Sequence, residues 1–90
     1  MLKSLAAAEF GNRAEVRLFG SRTDDAARGG DVDLFVEVSS PIDRPALRSA
    51  RLAARAIRAL GGRRVDVVLA APNLANLPIH DIARSSGVRL

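Results

Sequence analysis

The sequence predicts a small α/β (α+β) domain, a mixed three-stranded sheet flanked by helices in the order αβαβαβα. Three observations carry that expectation. Three short apolar runs, over residues 16–19, 31–38 and 65–70, have the length and patterning of strands. Around them lie segments whose hydrophobes recur at helical spacing. Gly-Gly pairs, prolines and Ser/Asn clusters punctuate the chain where one pattern gives way to the other.

Residues 2–10 carry the helical spacing Leu2, Leu5, Ala6, Phe10 and stop at Gly11-Asn12, a helix-ending pair. Residues 16–19 form a short strand that runs into Gly20. A short helix is expected over residues 21–28, where Ser21 is a natural N-cap and Ser21-x-x-Asp24 resembles a capping box with Asp in place of Glu. Gly29-Gly30 breaks the chain ahead of the second strand, residues 31–38. Its period of two sends Val32, Leu34, Val36 and Val38 to one face, and Asp31, Asp33, Phe35 and Glu37 to the other. Beyond the Ser39-Ser40-Pro41 loop, Asp43 as N-cap and Pro45 in the first turn open a helix that reaches Leu60 and is closed by Gly61-Gly62. On a helical wheel Ala46, Leu47, Ala50, Ala53, Ala54, Ile57 and Leu60 share the face expected inside. Arg44, Arg48, Arg51, Arg55 and Arg58 line the opposite, solvated one. The third strand, residues 65–70, ends at Ala71-Pro72-Asn73. A last helix is expected from near Pro78 to Gly87, with Val88-Arg89-Leu90 as a tail.

The 90 residues are expected to form one domain, which buries about two-thirds of its unfolded surface. With 48% apolar, 27% charged and only 3% aromatic residues, the core is aliphatic and the chain globular rather than disordered. Cysteine is absent, which excludes disulfides and thiolate metal sites and permits a reducing compartment. No apolar run approaches a membrane span and the first residues lack a signal-peptide pattern, so a cytoplasmic location without a membrane is expected. The formal charge is +4, and 13 of the 14 basic residues are arginine, a side chain suited to phosphate and carboxylate partners.

Carboxylates inside apolar runs need a reason. Asp31 and Asp33, two apart on a strand, project from one face about 7 Å apart at Cα. Asp66 sits in the apolar run of the third strand, and on a neighbouring strand it would lie about 5 Å to the side. Three hard oxygen ligands converging in this way suit Mg²⁺, with room left for water and substrate phosphates. Two ions about 3.5–4 Å apart could share the Asp31 and Asp33 carboxylates. Without a cation, three such charges would repel strongly. The convergence requires the strands of Asp33 and Asp66 to be sheet neighbours. Gly20-Ser21 stands where a strand feeds a helix: glycine admits a phosphate close to the backbone, and the helix start offers free N–H groups. The Ser21 hydroxyl adds a donor, and Arg22 is placed to reach an outer phosphate.

Leu18-Phe19-Gly20-Ser21-Arg22, nine intervening residues, Asp31-Val32-Asp33-Leu34 and a later Val65-Asp66-Val67-Val68 closely resemble the polymerase-β-type nucleotidyltransferase superfamily. The likeness is strongest to its minimal, stand-alone members, the antitoxin-like proteins paired with HEPN-type toxins. By motif it covers residues 16–70, with two departures: Gly30, where many relatives carry serine, and a Gly-Ser to Asp gap toward the short end of the family's range. The resemblance implies a polymerase-β-like core in which Gly20 and Ser21 hold the triphosphate while Asp31, Asp33 and Asp66 bind Mg²⁺. It also implies that Asp66 helps activate the attacking hydroxyl.

The expected function is therefore an enzyme: a Mg²⁺-dependent nucleotidyltransferase moving a nucleoside monophosphate, AMP from ATP, onto a hydroxyl with loss of pyrophosphate. So small a domain has no acceptor-binding lobe, so a protein partner is expected, and the resemblance points to a HEPN-type toxin. A homo- or hetero-oligomer is compatible with this. Two alternatives stay open: a non-catalytic antitoxin that neutralises its partner by occlusion, and a nucleic-acid-binding regulator using the arginine stripe. The latter is less favoured, because three phenylalanines without Tyr or Trp make a poor stacking platform. Glu37 is expected as an exposed rim residue, Arg63-Arg64 as an exposed turn, and the lone His80 as structural or surface rather than a zinc ligand.

Overall fold

The computed structural model describes residues 1–19 and 32–90. Along the chain follow α1 (Leu2–Phe10), β1 (Glu15–Leu18), β2 (Val32–Glu37), α2 (Pro45–Ala59), β3 (Val65–Ala70), α3 (Pro78–Ser86) and β4 (Val88–Arg89). The strands form one mixed sheet in the order β3-β2-β1-β4. β2 pairs in parallel with β3 and antiparallel with β1, and β1 pairs antiparallel with β4. The helix expected over residues 21–28 lies outside the described residues. No helix among the described residues is long and apolar enough to cross a membrane.

Among the described residues the sheet has four strands rather than three. The expected tail pairs with β1, Arg17 opposite Arg89 and Leu18 opposite Val88, and the Leu90 N–H donates to the Val16 carbonyl at 2.9 Å. β1 would otherwise leave a row of backbone groups open on that side. Gly87 makes the turn possible, since a Cβ there would collide with the Ala83 carbonyl oxygen and stand 3.1 Å from the Arg17 Cβ.

The two faces of the sheet are covered differently. Val16, Val32, Leu34, Val36 and Val65 pack against Ala6 of α1 and Leu52 and Ala56 of α2. On the reverse, Phe35, Phe19 and Ala70 pack against Ala83 of α3. Phe35 is fully buried although it lies on the strand face that also carries the acids. β2 is therefore the central strand, covered on both sides.

α2 sits differently from its helical-wheel expectation. Leu52 and Ala56 are its buried residues, flanked by half-buried Ser49, Ala53, Ile57 and Leu60, whereas Ala46, Leu47, Ala50 and Ala54 are exposed. Its inner face is turned toward Arg48, which leaves the solvated stripe to clamp α1. The Arg48 guanidinium donates to the Glu9 carboxylate at 3.3 Å and to the Glu9 carbonyl, and lies 4.9 Å over the Phe10 ring. The N-cap is Arg44, with φ 51°, rather than Asp43; Pro45 then fixes the first turn as expected. At the other end Gly61 (φ 71°) donates to the Arg58 carbonyl and Gly62 to the Ile57 carbonyl, the two bonds of a Schellman closure.

Candidate active site

Asp33 and Asp66 stand opposite one another in the register of β2 and β3. Neighbouring strands run about 4.8 Å apart, and partners in register project to the same side. Val65 and Val67 pack with the α1/α2 layer, so Asp66 turns to the other face with Val68 and Ala70, the face to which Asp33 and Phe35 belong. Asp33 is half-buried and Asp66 exposed. α3 covers this face around Phe35 and Ala70, toward the far ends of the two strands.

Two backbone bonds tie the segments that meet here. The Phe19 N–H donates to the Asp33 carbonyl at 3.1 Å, which fixes Phe19 beside Asp33. The Val32 N–H, next after Asp31, donates to the Arg64 carbonyl at 2.9 Å and fixes the start of β2 against the start of β3. Gly20, Ser21, Arg22 and Asp31 themselves lie outside the described residues. What the structure brings together is therefore Asp33 and Asp66. Among the described residues, no three His, Cys, Asp or Glu side chains gather to hold a metal ion.

Glu37 shares the face but is half-buried rather than fully exposed, and its carboxylate is taken by arginines: Arg84 at 2.9 Å and Arg17 at 3.7 Å. The hydrogen bond to Glu37 holds the Arg84 guanidinium above its usual pKa, with the Glu37 and Asp81 charges adding to it against desolvation. Arg84 also lies over the Phe35 ring at 5.6 Å. His80 is buried and structural, since its Nδ1 accepts the Leu77 N–H at 3.0 Å and its ring tilts against Phe35 at 5.8 Å. An Nδ1 that accepts leaves Nε2 carrying the proton of the neutral ring.

Two features carry no signal in the sequence. The Asn73 side chain holds both backbone groups of Ile42, accepting from its N–H at 2.9 Å and donating to its carbonyl at 2.8 Å. An open cavity of about 400 Å³ lies among Ala70, Pro72, Leu74, Asn76, His80 and Arg84, at the end of β3 away from Asp66.

Comparison with known proteins bears on this arrangement. Two solved chains share the fold. One, in the crystal structure of a mutant of the toxin–antitoxin MntA-HpeT, superposes with a TM-score of 0.60 at 21% identity, over 94% of this chain and 64% of that one. The other, in the crystal structure of the toxin–antitoxin MntA-HepT, gives 0.57 at 18% identity, over 98% and 68%. The chain thus spans a little under two-thirds of the first of these. No curated protein matches it. The family model of the nucleotidyltransferase domain matches residues 2–86, from the first helix to the end of α3. A match of that extent, on a fold shared with the two solved chains, means that the chain belongs to the nucleotidyltransferase domain family.

Proposed function

We propose that the chain is a Mg²⁺-dependent nucleotidyltransferase that moves a nucleoside monophosphate, AMP from ATP, onto a hydroxyl of a partner protein, as the antitoxin of a pair with a HEPN-type toxin. The observation that carries this is the register of Asp33 and Asp66 on one sheet face, with the Phe19 N–H bonded to the Asp33 carbonyl. The donor set fits a hard divalent cation: two carboxylates on adjacent parallel strands, one of them exposed, with Asp31 next to Val32 in sequence. Asp31, Asp33 and Asp66 would hold Mg²⁺, which when bound supplies charge neutralisation on the triphosphate. In this reading Gly20 and Ser21 seat the triphosphate through backbone N–H groups, and Arg22 takes an outer phosphate. The acceptor oxygen bonds to the α-phosphorus as the bond to pyrophosphate breaks, and Asp66 takes the hydroxyl proton. That both solved relatives come from toxin–antitoxin complexes supports the paired role.

The test is transfer itself. With α-labelled ATP, Mg²⁺ and the co-expressed HEPN-type chain, label should pass to the partner, and Asp33→Asn with Asp66→Asn should slow it by about 10²-fold or more. A wild-type chain that binds and silences its partner without transferring label would replace this reading with occlusion.

A further inference from the structure

The outer face of α2 carries two parallel strips. Leu47, which is 47% exposed, and the exposed Ala50 and Ala54 form an apolar one. Beside it the exposed Arg44, Arg51, Arg55 and Arg58 run along about 21 Å of helix. Between Arg44 and Arg64 the chain has seven arginines and no acidic residue. Arg48 is consumed by α1, and Arg51 reaches Glu9 only at 3.8 Å. Arg44, Arg55 and Arg58 make no ion pair among the described residues. Like charges at i,i+3 and i,i+4, as in Arg51, Arg55 and Arg58, oppose helix formation in the free protein. Opposite charge brought by a partner reverses that opposition.

We infer that this face docks an acidic amphipathic helix of the partner protein. Its apolar side would cover Leu47, Ala50 and Ala54, and its carboxylates would lie over the arginine strip. The inference rests on the paired role proposed above and adds the surface and the partner's chemistry. Protein is favoured over RNA because the positive strip is bordered by exposed apolar side chains. In addition, Phe19 and Phe35 are buried and Phe10 lies under Arg48, so the face has no aromatic ring for a base to stack on. α2 packs on the sheet face opposite Asp33 and Asp66, so docking leaves the aspartates open, and binding is separable from transfer.

The experiment measures affinity between the full chain and a co-expressed HEPN-type toxin chain, at about 0.15 M and about 0.5 M salt. Arg55→Glu with Arg58→Glu should weaken binding by about 100-fold, and Arg55→Gln with Arg58→Gln by about 10-fold, with the wild-type affinity falling at higher salt. Circular dichroism checks that these exposed substitutions leave the fold intact. Asp33→Asn with Asp66→Asn should bind as the wild type does. A charge reversal that binds like the wild type overturns the inference and leaves the paired role standing. A wild-type chain that does not bind the HEPN-type chain at all overturns both. A single-stranded RNA that binds the wild type and is released by the reversal, while partner binding persists, assigns the face to nucleic acid and overturns the inference.

Discussion

Arg48 shows how much a single side chain alters the reading of a helix. Its spacing with Arg44, Arg51, Arg55 and Arg58 places it in a solvated stripe, yet α1 supplies a carboxylate, a carbonyl and a ring that draw it inward. Glu9 is 7% exposed at its side chain, so removing Arg48 leaves a largely buried charge with only Arg51, at 3.8 Å, near it. Arg48→Ala should therefore destabilise the fold by about 2 kcal/mol, below the 3–5 typical of fully buried pairs because Arg48 is itself partly solvated. Urea denaturation measures this, and a loss within about 0.5 kcal/mol would show that the clamp is ornamental. The facing pair Asp33 and Asp66 was legible for a related reason. A carboxylate inside Val65-Asp66-Val67-Val68 contradicts its surroundings, whereas an arginine on a helix contradicts nothing.

At the scale of elements, strands and breaks were readable because period-two runs and Gly/Pro punctuation are local. β1, β2, β3, α1 and α3 fall where these signals put them. What was not local was missed. β4 is two residues long and exists only because β1 offers it an edge, and the inner face of α2 was misplaced because alanines fit either side of a helix. Gly87, read as a plain helix end, is required by the close approach of Ala83, Arg17 and Leu18. Its φ of −74° would suit any residue, so the requirement is steric. Gly87→Ala should cost about 1–3 kcal/mol, the range of overpacking, and release β4. Amide exchange reads this directly: the Leu90 N–H, now bonded to Val16, should lose protection while the amides of β2 keep theirs.

For the molecule as a whole, ligand binding is a large lever on a domain of 90 residues. On the function proposed above, Mg²⁺ with a nucleoside triphosphate at about 100 times its Kd would add about 2.7 kcal/mol. For a domain of this size each kcal/mol moves Tm by about 4–8 °C, so a rise of about 10–20 °C is expected. Asp33→Asn with Asp66→Asn should abolish the rise. It should also lift the ligand-free Tm slightly, because like charges facing across a strand pair destabilise it by about 0.2–1 kcal/mol. An undiminished ligand-dependent rise in the double variant would remove the two aspartates from the proposed metal site.

The parallel pairing of β2 with β3 has a consequence in time. Asp33 and Asp66 are 33 positions apart and meet only when the strand–helix–strand unit through α2 has closed. Closing such a unit costs chain entropy before any contact repays it, and here it also forces two anions toward each other. The facing pair of carboxylates therefore cannot form in a half-made chain. A ligand that needed both carboxylates would recognise only completed molecules, and by holding them together it would oppose reopening of the strand–helix–strand unit.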